Sequence, residues 1–318
     1  MNPLVSLVVL GFRDFLRTTG PCLDSLLPWI HDPEVEILAV DNGSPDDSAQ
    51  KTQSWCLNHP HVRCLISDSN RGYAGGMNWG ASHATGDWLL LVNNDTLFPE
   101  HAIDSLKRVI KQAPSNVAML APVTNAAGNG QRLLKPDTSL EDWLTIGAWL
   151  NRHPTGQLLS TYRCDFFCVA IRRDVWLELN GLDTAFGLGY YEDFDFSLRL
   201  REAGWEQKIT EDVFVAHLGS ASFNGSREAL NLLKKNKKII QSKHPGAKFQ
   251  HARVGNYSII EEYIAFKRNG NWSASLQARA DLRIPSLILD RPRSILKRWL
   301  WSRKVNNLIH QFRSAFHD

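Results

Sequence analysis

The feature that most constrains this chain is the alternation of short apolar runs with helical stretches over its first 112 residues. Val5-Ser6-Leu7-Val8-Val9-Leu10 and Val35-Glu36-Ile37-Leu38-Ala39-Val40 are rich in β-branched residues, and residues 62–66 and 88–92 repeat the signal. A strand apolar on both sides belongs inside a parallel sheet whose two faces are covered by helices. Helical stretches fall between the runs, at about 15–27, 47–58 and 74–84, the first with Leu16, Leu23, Leu26 and Leu27 on one side. Strands and helices alternating at this spacing predict βαβ units. The expected class is therefore α/β, with a mostly parallel central sheet flanked by helices.

Past residue 112 the pattern loosens. Residues 117–122 read as a strand, 125–137 as a loop, and 166–171 as a strand leading into a short helix at 173–179. A helix over 192–203 has acids at its start and Gly204 just past its end, the usual punctuation. Residues 207–216 return to strand. From 226 onward the chain turns basic and helical, with Lys234, Lys235, Lys237 and Lys238 close together, so a boundary is expected near 225.

Composition narrows the function classes. Hydrophobic residues make up 43% and charged residues 22%, which excludes extensive disorder. Thirty-six Lys and Arg against 33 Asp and Glu give +3, and no nucleic-acid partner is expected. The apolar run at 4–12 is too short to cross a bilayer and lacks the flanks of a secretory signal. Five scattered cysteines (Cys22, Cys56, Cys64, Cys164, Cys168) do not form a disulfide framework, and Cys164 and Cys168 have no second pair for a structural zinc. Packed, reduced thiols in a cytoplasmic protein are expected.

Ligands of open α/β sheets bind beyond the carboxyl ends of the strands. Three clusters fall there. Asp41-Asn42-Gly43-Ser44 follows the second strand; its carboxylate suits a nucleobase N–H or a ribose hydroxyl, although taken alone its composition first suggests a turn. The run from Asn70 through Arg71, Gly72, Tyr73, Ala74, Gly75, Gly76, Met77, Asn78 and Trp79 to Gly80 combines small residues with a helix start, where free N–H groups can meet phosphate oxygens. It is not a dinucleotide fingerprint, because the first strand leads into Gly11-Phe12-Arg13 without GxGxxG, which disfavours a dehydrogenase. Asn93-Asn94-Asp95-Thr96 suits a hard divalent cation carrying a diphosphate, or a polar turn closed by Pro99.

Two later clusters complete the set. Tyr190-Tyr191-Glu192-Asp193-Phe194-Asp195 crowds three carboxylates at a helix start; capping explains Asp195, while an ionised acid beside a cleft is also what a general base requires. His217 follows the last strand, either as a structural residue or as a metal ligand sharing a cation with Asp95.

In order and spacing, these segments, together with Gly181-Leu182-Asp183, closely resemble the family-two inverting glycosyltransferases of GT-A fold, in particular their rhamnosyltransferase-like branch. The resemblance covers roughly residues 4–223. It implies a GT-A catalytic domain over 1–225, with a nucleotide-binding half at 1–100 and an acceptor half at 101–225, and a basic helical extension over 226–318. It further implies a nucleoside-diphosphate-sugar donor (dTDP-, UDP- or GDP-linked), a glycan or lipid-linked glycan acceptor, and a Mn²⁺ or Mg²⁺ ion. By position, Asp41 matches the residue that contacts the base, and Asn70, Gly72, Gly75 and Asn78 lie in the segment that packs on the nucleoside and phosphates. Asn94 and Asp95 fall in the DxD region, with Asp95 and His217 as metal ligands. Asp193 matches the catalytic base and Glu192 its neighbour near the acceptor. Two departures stand out: Asn93 replaces the first Asp of DxD, and Phe12-Arg13 replaces the Tyr-Asn pair often found after strand one.

The mechanism so implied is a single in-line displacement at the anomeric carbon, with metal on the leaving diphosphate and Asp193 taking the acceptor proton. Trp143, Trp149, Tyr190 and Tyr191 are candidates to stack on acceptor sugars, or are packing residues. Between Arg283 and Arg313 eight basic residues face one acid, Asp290, with Ile295, Leu296, Trp299, Leu300 and Trp301 interleaved. Such a segment either lies on an anionic membrane surface or packs one side on the domain. Two rivals are a non-catalytic nucleotide or glycan binding module of the same fold, and a nucleotidyltransferase, for which Gly11-Phe12-Arg13-Asp14 is a poor phosphate loop.

Overall fold

The computed structural model describes residues 2–134, 138–219 and 227–315. The boundary expected near 225, Ser220 after the last strand, and the end of the 125–137 loop lie outside them. The first half winds as expected: β1 (Val5–Gly11), α1 (Thr19–Asp24), β2 (Val35–Asp41), α2 (Ser48–Asn58), β3 (Val62–Ile66), α3 (Gly72–Ser82) and β4 (Trp88–Asn93). The first helix is shorter than its periodicity suggests. Arg13 and Asp14 both adopt left-handed backbone angles, so the chain turns before it coils, and Leu16 is left 68% exposed.

Next come β5 (Thr96–Leu97), α4 (Ala102–Gln112), β6 (Val117–Val123), α5 (Leu140–Arg152), β7 (Leu158–Ser160), β8 (Cys168–Arg172), α6 (Arg173–Glu178), α7 (Glu192–Glu202), β9 (Glu206–Phe214) and β10 (Ala216–His217). The chain closes with α8 (Arg227–Lys243), α9 (Ala252–Arg268), α10 (Ala274–Leu289) and α11 (Ile295–Ser314). The main sheet runs β3-β2-β1-β4-β8-β6-β9-β7, and a separate ladder joins β10 to β5. The β1–β2, β1–β4, β2–β3 and β6–β9 pairs are parallel, whereas β8 lies antiparallel to β4 and β6, and β7 to β9.

Strand residues alternate between two cores. Val5, Leu7 and Val9 face α1 and α4, and Val8 and Leu10 face α3 and the later helices. Gly80 lets α3 lie close on β1, since a Cβ there would stand 2.4 Å from Val8. Helices α9, α10 and α11 contribute Ile259, Tyr263, Ala280 and Leu308 to the second core, so the C-terminal extension is packed into the sheet's own apolar layer.

A buried polar knot fixes that packing. Arg283 is fully buried, donates to Glu211 of β9 through Nε (3.0 Å), and reaches Gly130 O at 2.7 Å. Tyr263 donates its hydroxyl to the same carboxylate. Arg283 is therefore no part of the surface charge that the tail's sequence suggests.

Candidate active site

The strands deliver their carboxyl ends to a cleft of about 940 Å³. Asn93, Asn94 and Asp95 leave β4 into its wall. The β5–β10 ladder sets His217 opposite Thr96, and Leu218 N donates to Asp95 O (2.8 Å), which brings His217 Nε2 to 3.3 Å from Asp95 Oδ2. His217 Nδ1 lies 3.0 Å from Ala126 O, a group that only accepts, so Nδ1 carries hydrogen and Nε2 is turned to the carboxylate. Asn125 clamps the histidine backbone from both sides, accepting from His217 N and donating to His217 O, each at 2.8 Å. Burial opposes charge on this ring, but the Asp95 carboxylate outweighs it and holds the His217 pKa above the ordinary imidazole value.

The two side chains fit a divalent cation in part. Asn93 Oδ1 is buried without a hydrogen-bond partner and faces the same cleft. Among the described residues no group of three or more His, Cys, Asp or Glu could hold a metal. A cation here would take one carboxylate and one imidazole, with its remaining ligands from a diphosphate and water.

The second pair of acids enters from the opposite rim. Tyr190 and Tyr191 take left-handed backbone angles (φ 71° and 77°), and that turn aims Glu192 and Asp193 into the cleft at the start of α7. Glu192 is buried and its Oε2 has no partner. Asp193 keeps 22% of its side chain open, accepts from Phe194 N (2.7 Å), and has Arg163 Nη1 3.6 Å from Oδ2. Burial pushes Asp193 up to about 6; Arg163 pulls against it and Asp165 adds to it. Burial, then the Asp193 charge, pushes Glu192 up to about 8. Tyr73 connects the two rims: burial and the charges of Glu192, Asp193 and Asp95 together raise its hydroxyl pKa.

Of the residues expected at the site, Asn70, Asn94, Asp95, Glu192, Asp193 and His217 line this cleft, as do Tyr190 and Tyr191. Asp41 does not: it is 1% exposed, and its two oxygens accept from Ser44 N (2.9 Å) and Ser44 Oγ (2.6 Å), a closed turn. Asn78 is reassigned as well. It exchanges hydrogen bonds with Leu182 N and O, both 2.8 Å, and so anchors the 181–183 segment. Gly75 packs near Thr184 rather than on the cleft, and Gly72 serves a close approach, because with φ +70° a Cβ would stand 2.3 Å from Gly187 O. The first N–H groups of α3 are also engaged within the chain, Gly72 N with Asn70 Oδ1 (2.8 Å) and Tyr73 N with Leu188 O (3.4 Å).

Trp143 and Trp149 lie away from the cleft. Trp143 donates to Thr138 Oγ1 (2.6 Å), and Trp149 stacks on His153 with centroids 4.5 Å apart. Asp195 is structural, though by ion pairs rather than capping: Arg199 (2.8 Å), Lys243 (2.7 Å) and His244 (2.9 Å) surround it at 0% exposure.

Other residues shape the cleft from its wall or from behind it; Asn42 belongs to a cluster the sequence marks, and the rest carry no sequence signal. Asn42 joins Asn70 Oδ1 (3.3 Å) and Gly72 O (3.1 Å). Arg163 pairs with Asp165, which is fixed by Gly128 N (2.5 Å), and its guanidinium lies 4.2 Å over the Phe249 ring. Leu233 and Phe249 bring the C-terminal extension into the wall. Asn236 of α8, fully buried, donates to Phe186 O, Gly189 O and Tyr190 O at 2.7–3.0 Å, and so holds the turn that aims the acids.

Known proteins share this sequence and architecture. The chain is 27% identical over 119 residues to Glycosyltransferase GlyG of Streptococcus pneumoniae, covering 37% of this chain and 39% of that protein. It is 28% identical over 244 residues to the O-antigen biosynthesis protein RfbC of Myxococcus xanthus, covering 70% of this chain and 18% of that protein. The chain thus spans well under half the length of either relative. Among solved structures, the mannosyltransferase PcManGT from Pyrobaculum calidifontis, in complex with GDP-Man and Mn²⁺, superposes with a TM-score of 0.54 at 18% identity, over 99% of this chain and 87% of that one. That likeness shows the fold, which is GT-A. The pattern of Glycosyl transferase family 2 matches residues 13–176, about half of the chain. The chain belongs to glycosyl transferase family 2.

Proposed function

We propose that the chain transfers a sugar from a nucleoside-diphosphate-sugar donor to a hydroxyl of a glycan or lipid-linked glycan, with inversion, in the assembly of a cell-surface polysaccharide. The observation that carries this reading is the meeting of two unlike acidic centres in one cleft: Asp95 with His217 on one rim, Asp193 with Glu192 on the other. Asp95 and His217 are the residues to hold a divalent ion on the diphosphate, where such an ion neutralises charge on the leaving group. Asn42, Asn70, Asn94 and Phe12 form the wall from the strand ends and suit the nucleoside and phosphates, with Asp41 shaping the turn behind them. The sequence resemblance favours a hexosyl or rhamnosyl donor with uracil, thymine or guanine as base.

Asp193 takes the acceptor proton. Its raised pKa near 6 leaves it mostly ionised at neutral pH yet more basic than an ordinary carboxylate, a useful compromise for a general base. Glu192, held protonated by burial beside that charge, is a hydrogen-bond donor toward the acceptor. Tyr190 and Tyr191 flank the same rim and suit sugar rings. A cytoplasmic site agrees with five free cysteines, four of them buried, and no helix among the described residues is long and apolar enough to cross a membrane.

A panel of nucleotide sugars with Mn²⁺ or Mg²⁺, scored by released nucleoside diphosphate, tests the reading without knowledge of the acceptor. Slow hydrolysis of one donor is expected. Donor binding with no release by wild type, with acceptor glycans supplied, would favour the non-catalytic binding module.

A further inference from the structure

Helix α11 has two apolar faces, and among the described residues only one is covered. At about 100° per residue, Trp301, Val305, Leu308 and Phe312 point one way. Val305, Leu308 and Phe312 are buried, and Trp301 packs against the same core. Ile295, Leu296, Trp299 and Leu300 fall in a sector of about 140° on the other side. All four stand in solvent, from 52% exposed at Leu300 to 84% at Ile295. Leu289, at the end of α10, extends the patch at 62% exposed. Large apolar side chains gathered on one exposed face mark an interaction surface.

Charge identifies the partner. Arg291, Arg293, Lys297, Arg298, Arg303 and Lys304 are interleaved with these apolar residues along the segment. The one acid within the segment 283–313, Asp290, is bound by Arg132 at 2.6 Å, and Arg283 is buried on Glu211, so the segment's own exposed charge is basic. The Arg303 guanidinium lies 4.9 Å over the Trp299 ring, the amphipathic pairing that suits a headgroup layer. Pairing with a second copy would bring two such positive fields together, which argues against self-association. We propose that the surface formed by residues 288–304 docks on an anionic membrane leaflet, with Trp299, Leu296 and Ile295 entering the headgroup region and the interleaved basic residues meeting lipid phosphates. The surface stands independently of the proposed transfer reaction; where both hold, it names the place at which a lipid-linked acceptor is met.

Co-sedimentation of the full chain, without donor, tests the docking. Wild type pellets with mixed phosphatidylglycerol–phosphatidylcholine vesicles and not with phosphatidylcholine alone. Each basic residue at an anionic surface is worth about fivefold in affinity, so Lys297→Gln with Arg298→Gln weakens binding about thirtyfold. Ile295→Ser, Leu296→Ser and Trp299→Ser together abolish it, while thermal midpoint and donor hydrolysis stay at wild-type values. Three results overturn the proposal: wild type remaining in the supernatant, the triple variant pelleting like wild type, or lipid-free dimers that the triple variant dissolves. Donor hydrolysis in the same samples reports separately on the transfer reading.

Discussion

Arg163 and Asp165 should set the pH at which the proposed transfer works, in opposite directions. Arg163 Nη1 stands 3.6 Å from Asp193 Oδ2, and Asp165 is paired to the same guanidinium. At that separation a unit charge contributes about 1 kcal/mol in a water-like medium and about 5 kcal/mol at an effective dielectric of about 20. Asp193 is partly open and shares Arg163 with Asp165, so the lower part of that span applies, about 1–2 pKa units at 1.36 kcal/mol each. As the proposed base, Asp193 works ionised, so transfer should be present above its pKa and fade as pH falls through it, near 6 in wild type. Arg163→Gln removes the opposing cation and moves this acid limb up by about 1–2 units. Asp165→Asn removes a neighbouring anion and moves it down. Glu192, the other titrating neighbour, stays mostly protonated below its own value of about 8, so the wild-type and Asp165→Asn limbs are read clear of it, while the Arg163→Gln limb meets the onset of its ionisation. The assay is the kcat/KM profile for released nucleoside diphosphate from pH 5 upward. Limbs that shift together, or stay in place in both variants, would refute the assignment of Asp193 as base and Arg163 as the group that tunes it.

Three further outcomes follow from the same geometry. Asp95→Ala should remove the thermal stabilisation that nucleoside diphosphate plus Mn²⁺ gives wild type, and leave the ligand-free midpoint close to unchanged. Arg283→Met leaves the Glu211 charge buried without its partner, costing about 3–5 kcal/mol in urea unfolding, and adding Glu211→Gln should recover part of it. Asn236→Leu strands the carbonyls of Phe186, Gly189 and Tyr190 and loosens the turn before Glu192, so kcat should fall at least tenfold while α8 remains helical by circular dichroism.

Of the first four strands, β1 and β4 were the most legible, because a fully buried strand has a simple signature, apolar on both faces. The same signature hides direction. Nothing in Cys168–Arg172 tells that β8 enters antiparallel between β4 and β6. Helix α5 did have a local mark, the reciprocal cap of Ser139 and Asp142. At the site, the candidates at the ends of elements do line the cleft: Asp95 just after β4, His217 on β10 and Asp193 at the start of α7. Those whose partners lie far along the chain could not be placed. Asn78 looked like a ligand contact in a glycine-rich run, yet its partner is Leu182, and Asp41 looked open where Ser44 closes it. Arg163 sits in a segment without periodicity, and Leu233, Asn236 and Phe249 come from helices whose composition gives only basic charge. Their roles arise from packing across the sheet.

The most direct test of the central claim is to measure donor affinity and donor turnover side by side in Asp193→Asn. The substitution keeps size and removes the proton acceptor, so turnover should fall about 10²–10⁴-fold while donor binding with Mn²⁺ holds at the wild-type value. Turnover near wild type in a variant that binds donor normally would contradict the account, because the proton of the attacking hydroxyl would then be leaving by another route.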